Sequence, residues 1–460
     1  MINELKETHN QNVDQQNGFH HLLDEMGILY TDEEVYLNVG GLPSANGWAL
    51  FLTSDVLQVR DLIKVVSPLL YNEGIAFSVI KNKTLATRKN DFWHGPDEVG
   101  KMIIVFTVEE DITRKMIARL AVLTKDFWGP GVNYSVRVAE IIYVTYIKYF
   151  DQQQDDGSVE RITSLVFPNA RRLPFKICRK YQYWKRKRLL KRRYVPLQMI
   201  SRSPKGDLLK SVDLRGLKFN WCFIKEGKYH VFNDKYGRYI KDRLKWQAKV
   251  LCELEDHIPI PKFIDYFEQG EECYLVMEFL DGVDLFRRID DMYQKRKWSE
   301  LDEETQQLLI RYYLDVLFII EKMHQKGYIH RDATASNFMV LTSGEVYTID
   351  LELSYSIYRN EPFPPFAMGV FGYASPEQIA LGIPTIKEDV YTMGALLLHV
   401  LTGKHPNSFI SNESEVDAKA IVEEVKELFL QEVILSCIDL SPDKRPELKD
   451  VRAAVESMVK

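Results

Sequence analysis

Cysteine is scarce: there are five among 460 residues, and Cys178, Cys222, Cys252, Cys273 and Cys437 form no CxxC or Cys-His pattern. A scattered, odd-numbered set argues against a disulfide framework or a zinc site and suits a reducing compartment. No apolar run reaches the roughly 18 residues that a membrane-spanning helix needs. The opening stretch MINELKETHNQNVDQQNG is polar and has no apolar signal core, so a cytoplasmic location is expected rather than secretion. Internal repeats are absent, which excludes solenoids and propellers. Glycine (24) and proline (18) are ordinary, and 45% hydrophobic with 27% charged residues is neither collagen-like nor disordered. At about 150 residues per domain, the length predicts two or three globular domains.

Charge is present but uneven. The net is −6, yet between Arg171 and Arg193 stand twelve Lys or Arg and no Asp or Glu. Tyr181, Tyr183 and Trp184 interleave with this belt. Nucleic acid, an anionic lipid surface and an acidic leader peptide would each suit such a segment, as would plain solvation of an interdomain connector. The peptide is preferred here, and no nucleic-acid partner is expected. Before the belt, GWALFLTS and KMIIVFTV read as strands, and VLQVRDLIKVVSPLL and TRKMIARLAVLTKDF as amphipathic helices. DQQQDDGS (151–158) reads as a polar turn or linker. After the belt come short strand-like runs ending in ECYLVMEFL, then long helical patterns such as TQQLLIRYYLDVLFIIEKMHQKG. A small β-rich lobe therefore precedes a large helical one, in an α+β, multidomain chain.

The stretch YIHRDATASNFMVLTSGEVYTIDLE places His330-Arg331-Asp332, Asn337 and Asp350 in order. The step from Asp332 to Asn337 resembles the catalytic loop of the protein kinase superfamily, and a hairpin turning at Ser343-Gly344 would return Asp350 to Asn337. That resemblance implies a bilobal kinase-like fold using ATP and Mg²⁺. Asp332 would orient a Ser or Thr hydroxyl, and Asn337 and Asp350 would hold the metal. Lys225 would contact the α- and β-phosphates, and Gln247 stands where a Glu usually pairs with that lysine. Met277 would be the gatekeeper, Glu278 to Leu280 would meet adenine, and Asp284 the ribose. Ser375-Pro376-Glu377 resembles the end of an activation segment, with Arg445 the buried partner of Glu377. Asp389 opens the helix that anchors the loop. Besides Gln247, three positions depart from the pattern: SRSPKGDLL has only Gly206 for its phosphate loop, Thr334 replaces a common Lys, and Leu351-Glu352 follows Asp350.

The N-terminal half resembles the phospho-Ser/Thr lyase domain of class III and IV lanthipeptide synthetases, through GWALFLTS, SPLLYNEGIAFSVIKN, EVGKMIIVFTVEED and WGPGVNYSVRV. Such synthetases phosphorylate a precursor peptide, eliminate the phosphate, and add thiols with a cyclase, which is not expected in this chain. Elimination needs a base, an acid and cations for the leaving phosphate. The family's Gly-Trp-Lys-x-His stands here as Gly47-Trp48-Ala49-Leu50-Phe51, and its Phe-Lys as Phe77-Ser78. Lys101 and Arg137 match phosphate-binding positions. Lys81, Lys83, Arg88, Lys89 and His94 read as solvated loop charges.

The expected organisation is a flexible N-terminus (1–20), a phosphothreonine-lyase-like α/β domain without elimination chemistry (21–165), a basic linker (166–194), a kinase N-lobe (195–280) and a C-lobe (281–460). The expected function is an ATP-dependent Ser/Thr kinase acting on a ribosomal precursor peptide with a leader, a separate cyclase or lyase working in trans. Two alternatives stay open: a bifunctional kinase–lyase making dehydroalanine or dehydrobutyrine, and a pseudokinase scaffold that binds peptide. Sequence leaves the oligomeric state open.

Overall fold

The computed structural model describes residues 18–459 apart from 44, 91–94, 96, 154–158, 167, 170–172, 176–188, 204, 216–219, 229, 233, 235, 368 and 412–414. The expectations for residues 1–17, for His94 and for most of the basic belt fall outside the described residues. The chain forms two compact units. The first comprises Met1–Leu209, Lys225–Asp242 and Glu268–Tyr274, and the second Lys210–Ile224, Arg243–Phe267 and Leu275–Lys460.

The first unit runs through α1 (His20–Glu25), β1 (Thr31–Asp32), β2 (Tyr36–Val39), β3 (Gly47–Leu52), α2 (Val59–Asn72), β4 (Ala76–Ile80), α3 (Lys83–Asn90), β5 (Ile103–Val108), α4 (Glu110–Leu123), β6 (Val136–Arg137), β7 (Ile142–Gln153) and β8 (Val159–Val166). Its strands order as β1-β2-β4-β5-β3-β7-β6, with β8 on β7. Neighbours are antiparallel. The helices form as their periodicity requires. Leu62, Ile63, Val66 and Leu70 of α2 and Met116, Ile117 and Leu120 of α4 are buried, the three- and four-residue spacing of one helix face. Both pack with Leu50, Leu52, Phe77, Val79, Ile103 and Val105 in one core. The opposite sheet face carries Phe51 and Tyr143 in a second, smaller cluster. Strand β3 is thus buried on both faces, which explains its unbroken apolar run. Gly47 is required there, because a Cβ would meet the Val108 backbone at 2.6 Å. Strands β7 and β8 pair as far as Gln153↔Val159.

Strands β9 (Tyr194–Ser201), β10 (Leu208–Asp213), β11 (Asn220–Gly227), β12 (Phe263–Gln269) and β13 (Glu272–Glu278) form a five-stranded sheet in the order β12-β13-β11-β10-β9. Between β11 and β12 lies α5 (Ile240–Leu254).

The second unit continues with β14 (Gly282–Asp284), α6 (Leu285–Tyr293), α7 (Glu303–Gln325), β15 (Tyr328–Ile329), β16 (Phe338–Leu341), β17 (Val346–Thr348), β18 (Tyr355–Ser356), α8 (Pro376–Ile379), α9 (Ile386–Thr402), α10 (Ala418–Glu424), α11 (Leu428–Cys437) and α12 (Leu448–Glu456). Helix α7 starts where Asp302 accepts the Thr305 N–H, with Glu303 and Glu304 in its first turn and Lys322 and His324 in its last, charges that suit the helix dipole. Helix α9 packs on α7 and α11. Every residue from Glu388 to Thr402 is buried, and the helix stops at Gly403, whose φ of 67° is left-handed. Among the described residues no helix is long and apolar enough to cross a membrane.

Candidate active site

The loop between β15 and β16 carries the site, and α9 holds that loop. Asp389 Oδ2 accepts the His330 N–H and Oδ1 the Arg331 N–H, both at 2.8 Å, and Oδ2 also meets His324 Nε2 at 2.8 Å. Burial alone would push this carboxyl up. His324 and the loop N–H groups outweigh it and hold Asp389 below its ordinary value. Arg331 adopts φ 65°, a strained value for a side-chain-bearing residue that persists only where its surroundings over-determine it. His330 is fully buried, and burial lowers its pKa. Its Nδ1 accepts the Asp332 N–H at 3.2 Å, which leaves Nε2 to donate to Thr348 Oγ1 at 2.9 Å. The backbone of Asp332 is therefore fixed from both sides.

The hairpin of β16 and β17 turns at Ser343-Gly344 and brings the chain back, with the Ile349 N–H donating to Asn337 O at 2.9 Å. Asn337 and Asp350 thus become neighbours, as the sequence implied. Asn337 Nδ2 donates to Asp332 Oδ2 at 2.7 Å and to Asp332 O at 2.8 Å. These two bonds engage the Asn337 amide nitrogen and leave its oxygen as the amide's acceptor. That oxygen and the Asp350 carboxylate are the hard donors that Mg²⁺ prefers. Among the described residues no group of three or more His, Cys, Asp or Glu is placed to hold a metal ion. A cation here would draw its remaining ligands from phosphate oxygens and water.

Around these groups, Gln247 is fully buried on α5 and its Nε2 donates to Ile349 O at 3.4 Å. It thus braces the residue before Asp350. Met277 is buried on β13, and the Glu278 N–H donates to Lys262 O. Leu280 follows β13, and Asp284 caps α6 by accepting the Arg287 N–H at 2.9 Å. In the first unit, Lys225 is buried on β11. Gly206 is needed for close strand packing, because a Cβ there would collide with the Glu226 carbonyl.

Arg445 closes the constellation. Its Nη1 and Nη2 reach Glu377 Oε1 and Oε2 at 2.5 and 2.9 Å, and Nε donates to Asp439 O. Residues 231–455 match the family model of the protein kinase domain. Over these residues the chain is similar to protein kinases. Serine/threonine-protein kinases B and C of Synechocystis sp. are 27% and 28% identical over 230 and 242 residues, covering 48% and 49% of this chain but 38% and 42% of theirs. Sperm motility kinase 3A of Mus musculus is 27% identical over 223 residues, 46% of this chain and 42% of its own. The chain spans less than half the length of these curated relatives. Within these residues, the pairing of Glu377 with Arg445 and the hold of Asp389 on the loop at 330–331 are those expected from the sequence.

Residues 34–183 match the family model described as RamC, N-terminal domain. Three of the positions singled out there, Ser78, Phe51 and Arg137, lie in one row across six strands. Register places Asn38 beside Ser78, Ser78 beside Ile104, Ile104 beside Phe51, Phe51 beside Tyr143, and Tyr143 beside Arg137. Ser78 Oγ donates to Asn38 Oδ1 at 2.6 Å. Lys101 Nζ lies 5.0 Å from the Phe51 ring centroid. Arg137 is engaged by Glu271 at 2.7 Å, by Glu140 and by two backbone carbonyls. Lys89 corrects the sequence reading. It is not a solvated loop charge but only 2% exposed. It shares Glu98 with Lys101, at 2.5 and 2.7 Å, and lies over the Tyr36 ring. Burial lowers the Lys89 pKa against the pull of Glu98. The missed signal was its place on α3, three residues beyond the buried Ala86.

Proposed function

We propose that this chain is a Ser/Thr kinase of a ribosomal precursor peptide and that its N-terminal domain holds the peptide or its phosphorylated product without eliminating phosphate. The observation that carries the kinase part is the Asn337 amide bound to Asp332, with its oxygen left to a cation beside Asp350. Bound Mg²⁺ would neutralise charge on the transferring phosphoryl group. Asp332 accepts the substrate hydroxyl's hydrogen and orients its oxygen for attack. Asn337 and Asp350 are the metal ligands in this reading and Lys225 the phosphate contact. Met277 to Leu280 and Asp284 would line the nucleoside side, and Gln247 would hold Asp350 in place through Ile349.

The peptide part rests on the resemblance to RamC and on Ala49, Phe51 and Ser78, which supply neither acid nor base near neutral pH. A second reading, in which elimination persists, is favoured by Lys89. A buried lysine of lowered pKa beside Lys101 is the kind of group that can take a proton or hold an anion. Incubating the protein with ATP, Mg²⁺ and a Ser/Thr-rich precursor, beside an Asp332→Asn control, separates these readings by mass. Gain of phosphoryl groups supports the proposal. Loss of water supports the second reading, and no change at all supports a peptide-binding scaffold.

A further inference from the structure

Arg331 precedes the catalytic Asp332, and its guanidinium lies wholly inside the kinase domain. Its Nε donates to Glu388 Oε2 at 2.9 Å, and both side chains are fully buried. Its Nη1 donates to Leu353 O at 3.3 Å and Phe366 O at 3.0 Å. Those two carbonyls lie near the start and past the middle of the segment between Asp350 and Glu377, so one cation staples the segment at two points. Phosphorylation commonly orders such segments by giving an arginine an anion to bind. Here the arginine already has one, supplied from α9.

The hydroxyls of the segment point the same way. Between Asp350 and Glu377 the sequence has no threonine and six hydroxyl residues: Ser354, Tyr355, Ser356, Tyr358, Tyr373 and Ser375. Ser354, Tyr355, Ser356, Tyr373 and Ser375 are buried. Ser354 Oγ donates to Leu351 O, Tyr373 OH meets His399 Nδ1, and Ser375 caps α8. Tyr358 alone is exposed, at 77%. A kinase acting on serine or threonine would find no accessible acceptor here.

We propose that Glu388 stands permanently in the place of an activating phosphate, so that residues 351–376 are ordered for substrate without phosphorylation. The inference rests on the phosphotransferase reading above. Arg331 and Glu388 act through the segment and are positioning residues. The other charges near Glu388 are Asp389 and Glu377, and burial pushes its carboxyl up to about 7, so the test belongs at pH 8, where it is ionised.

The full chain is treated with a phosphatase active on Ser, Thr and Tyr, and intact mass verifies complete dephosphorylation. Hydrogen exchange of peptides spanning 351–376 is then compared with that of untreated protein. Unchanged protection is expected, and a fall on dephosphorylation would overturn the proposal. In Glu388→Gln, protection over 353–366 should fall about tenfold or more while α11 keeps its protection. Protection equal to wild type would overturn the proposal too. Should Glu388→Gln not fold, Arg331→Met/Glu388→Met removes both charges, a change that buried pairs often tolerate. A folded double variant with a labile segment supports the proposal, and one with a fully protected segment refutes it. The readout needs no turnover. Absence of phosphoryl transfer with this exchange pattern intact would therefore count against the kinase reading and not against the staple.

Discussion

Replacing Asp389 with Asn should loosen the catalytic loop without altering any group that meets substrate. The carboxylate accepts three hydrogen bonds at 2.8 Å, from the His330 and Arg331 backbones and from His324. An amide keeps one acceptor oxygen and turns an N–H₂ toward the other side. If its oxygen stays with Arg331, the His330 N–H is left buried and unbonded, at a cost of about 1–3 kcal/mol. The charge that strengthens the surviving bond is also lost, which adds about 1 kcal/mol. A total near 3 kcal/mol, with m about 3 kcal/mol/M in urea, moves the midpoint by about 1 M. Hydrogen exchange in α7 and α9 against urea reads this for the second unit alone. Asp332 follows directly on the loosened backbone, and a displacement of about 1 Å would lower phosphoryl transfer about 100-fold. His324→Ala, which removes only the outermost bond, should shift the midpoint by less than about 0.5 M. A midpoint for Asp389→Asn within about 0.2 M of wild type, with an unchanged rate, would refute the view that this carboxylate carries the loop.

Arg445→Lys keeps the charge but not the paired geometry to Glu377 or the bond to Asp439 O. It should cost about 3 kcal/mol in urea unfolding. Gly206→Ala drives a methyl into the Glu226 carbonyl and should cost about 2 kcal/mol, read from exchange at residues 225–227. His399 is buried, and burial, helped by His405, pushes its pKa from 6.5 down to about 4. The unfolded chain therefore takes up this proton at 6.5 and the folded chain only near 4. The stability due to the neutral ring is complete above 6.5 and falls by about 3 kcal/mol as pH drops to 4. Glu388, raised from 4.5 to about 7, works in the opposite sense across much of that window. The informative quantity is accordingly the difference between wild type and His399→Phe in urea titrations at pH 7 and pH 5. The variant should lose less stability on acidification, and equal losses would contradict the burial of a neutral ring.

The loop that carries Asp332 was legible because the groups it meets are local. Asp332, Asn337 and Asp350 keep their spacing within one loop and one hairpin, and the hairpin's turn residues stand in the chain beside them. Elements with a single buried face were legible for the same reason, as α2 and α4 illustrate. What escaped depends on pairing across strands or between distant segments. The row from Asn38 to Arg137 exists only through the register of six strands, which no periodicity reports. Glu388 escaped because an acid in the first turn of a helix is ordinarily a solvated charge favoured by the dipole. Only the path of Arg331 reveals that it faces inward. Lys89 was misread for a related reason: a lysine near a loop is usually exposed, and its burial required Glu98 and Tyr36 to arrive from elsewhere in the fold.

Helix α9 has no side turned to water from Glu388 to Thr402. Such a helix cannot be loosened by a local opening, because every amide in it is roofed by neighbours on all sides. Its slowest-exchanging hydrogens therefore serve as an internal clock that advances only when the whole second unit comes apart, against which every local opening elsewhere in that unit can be timed.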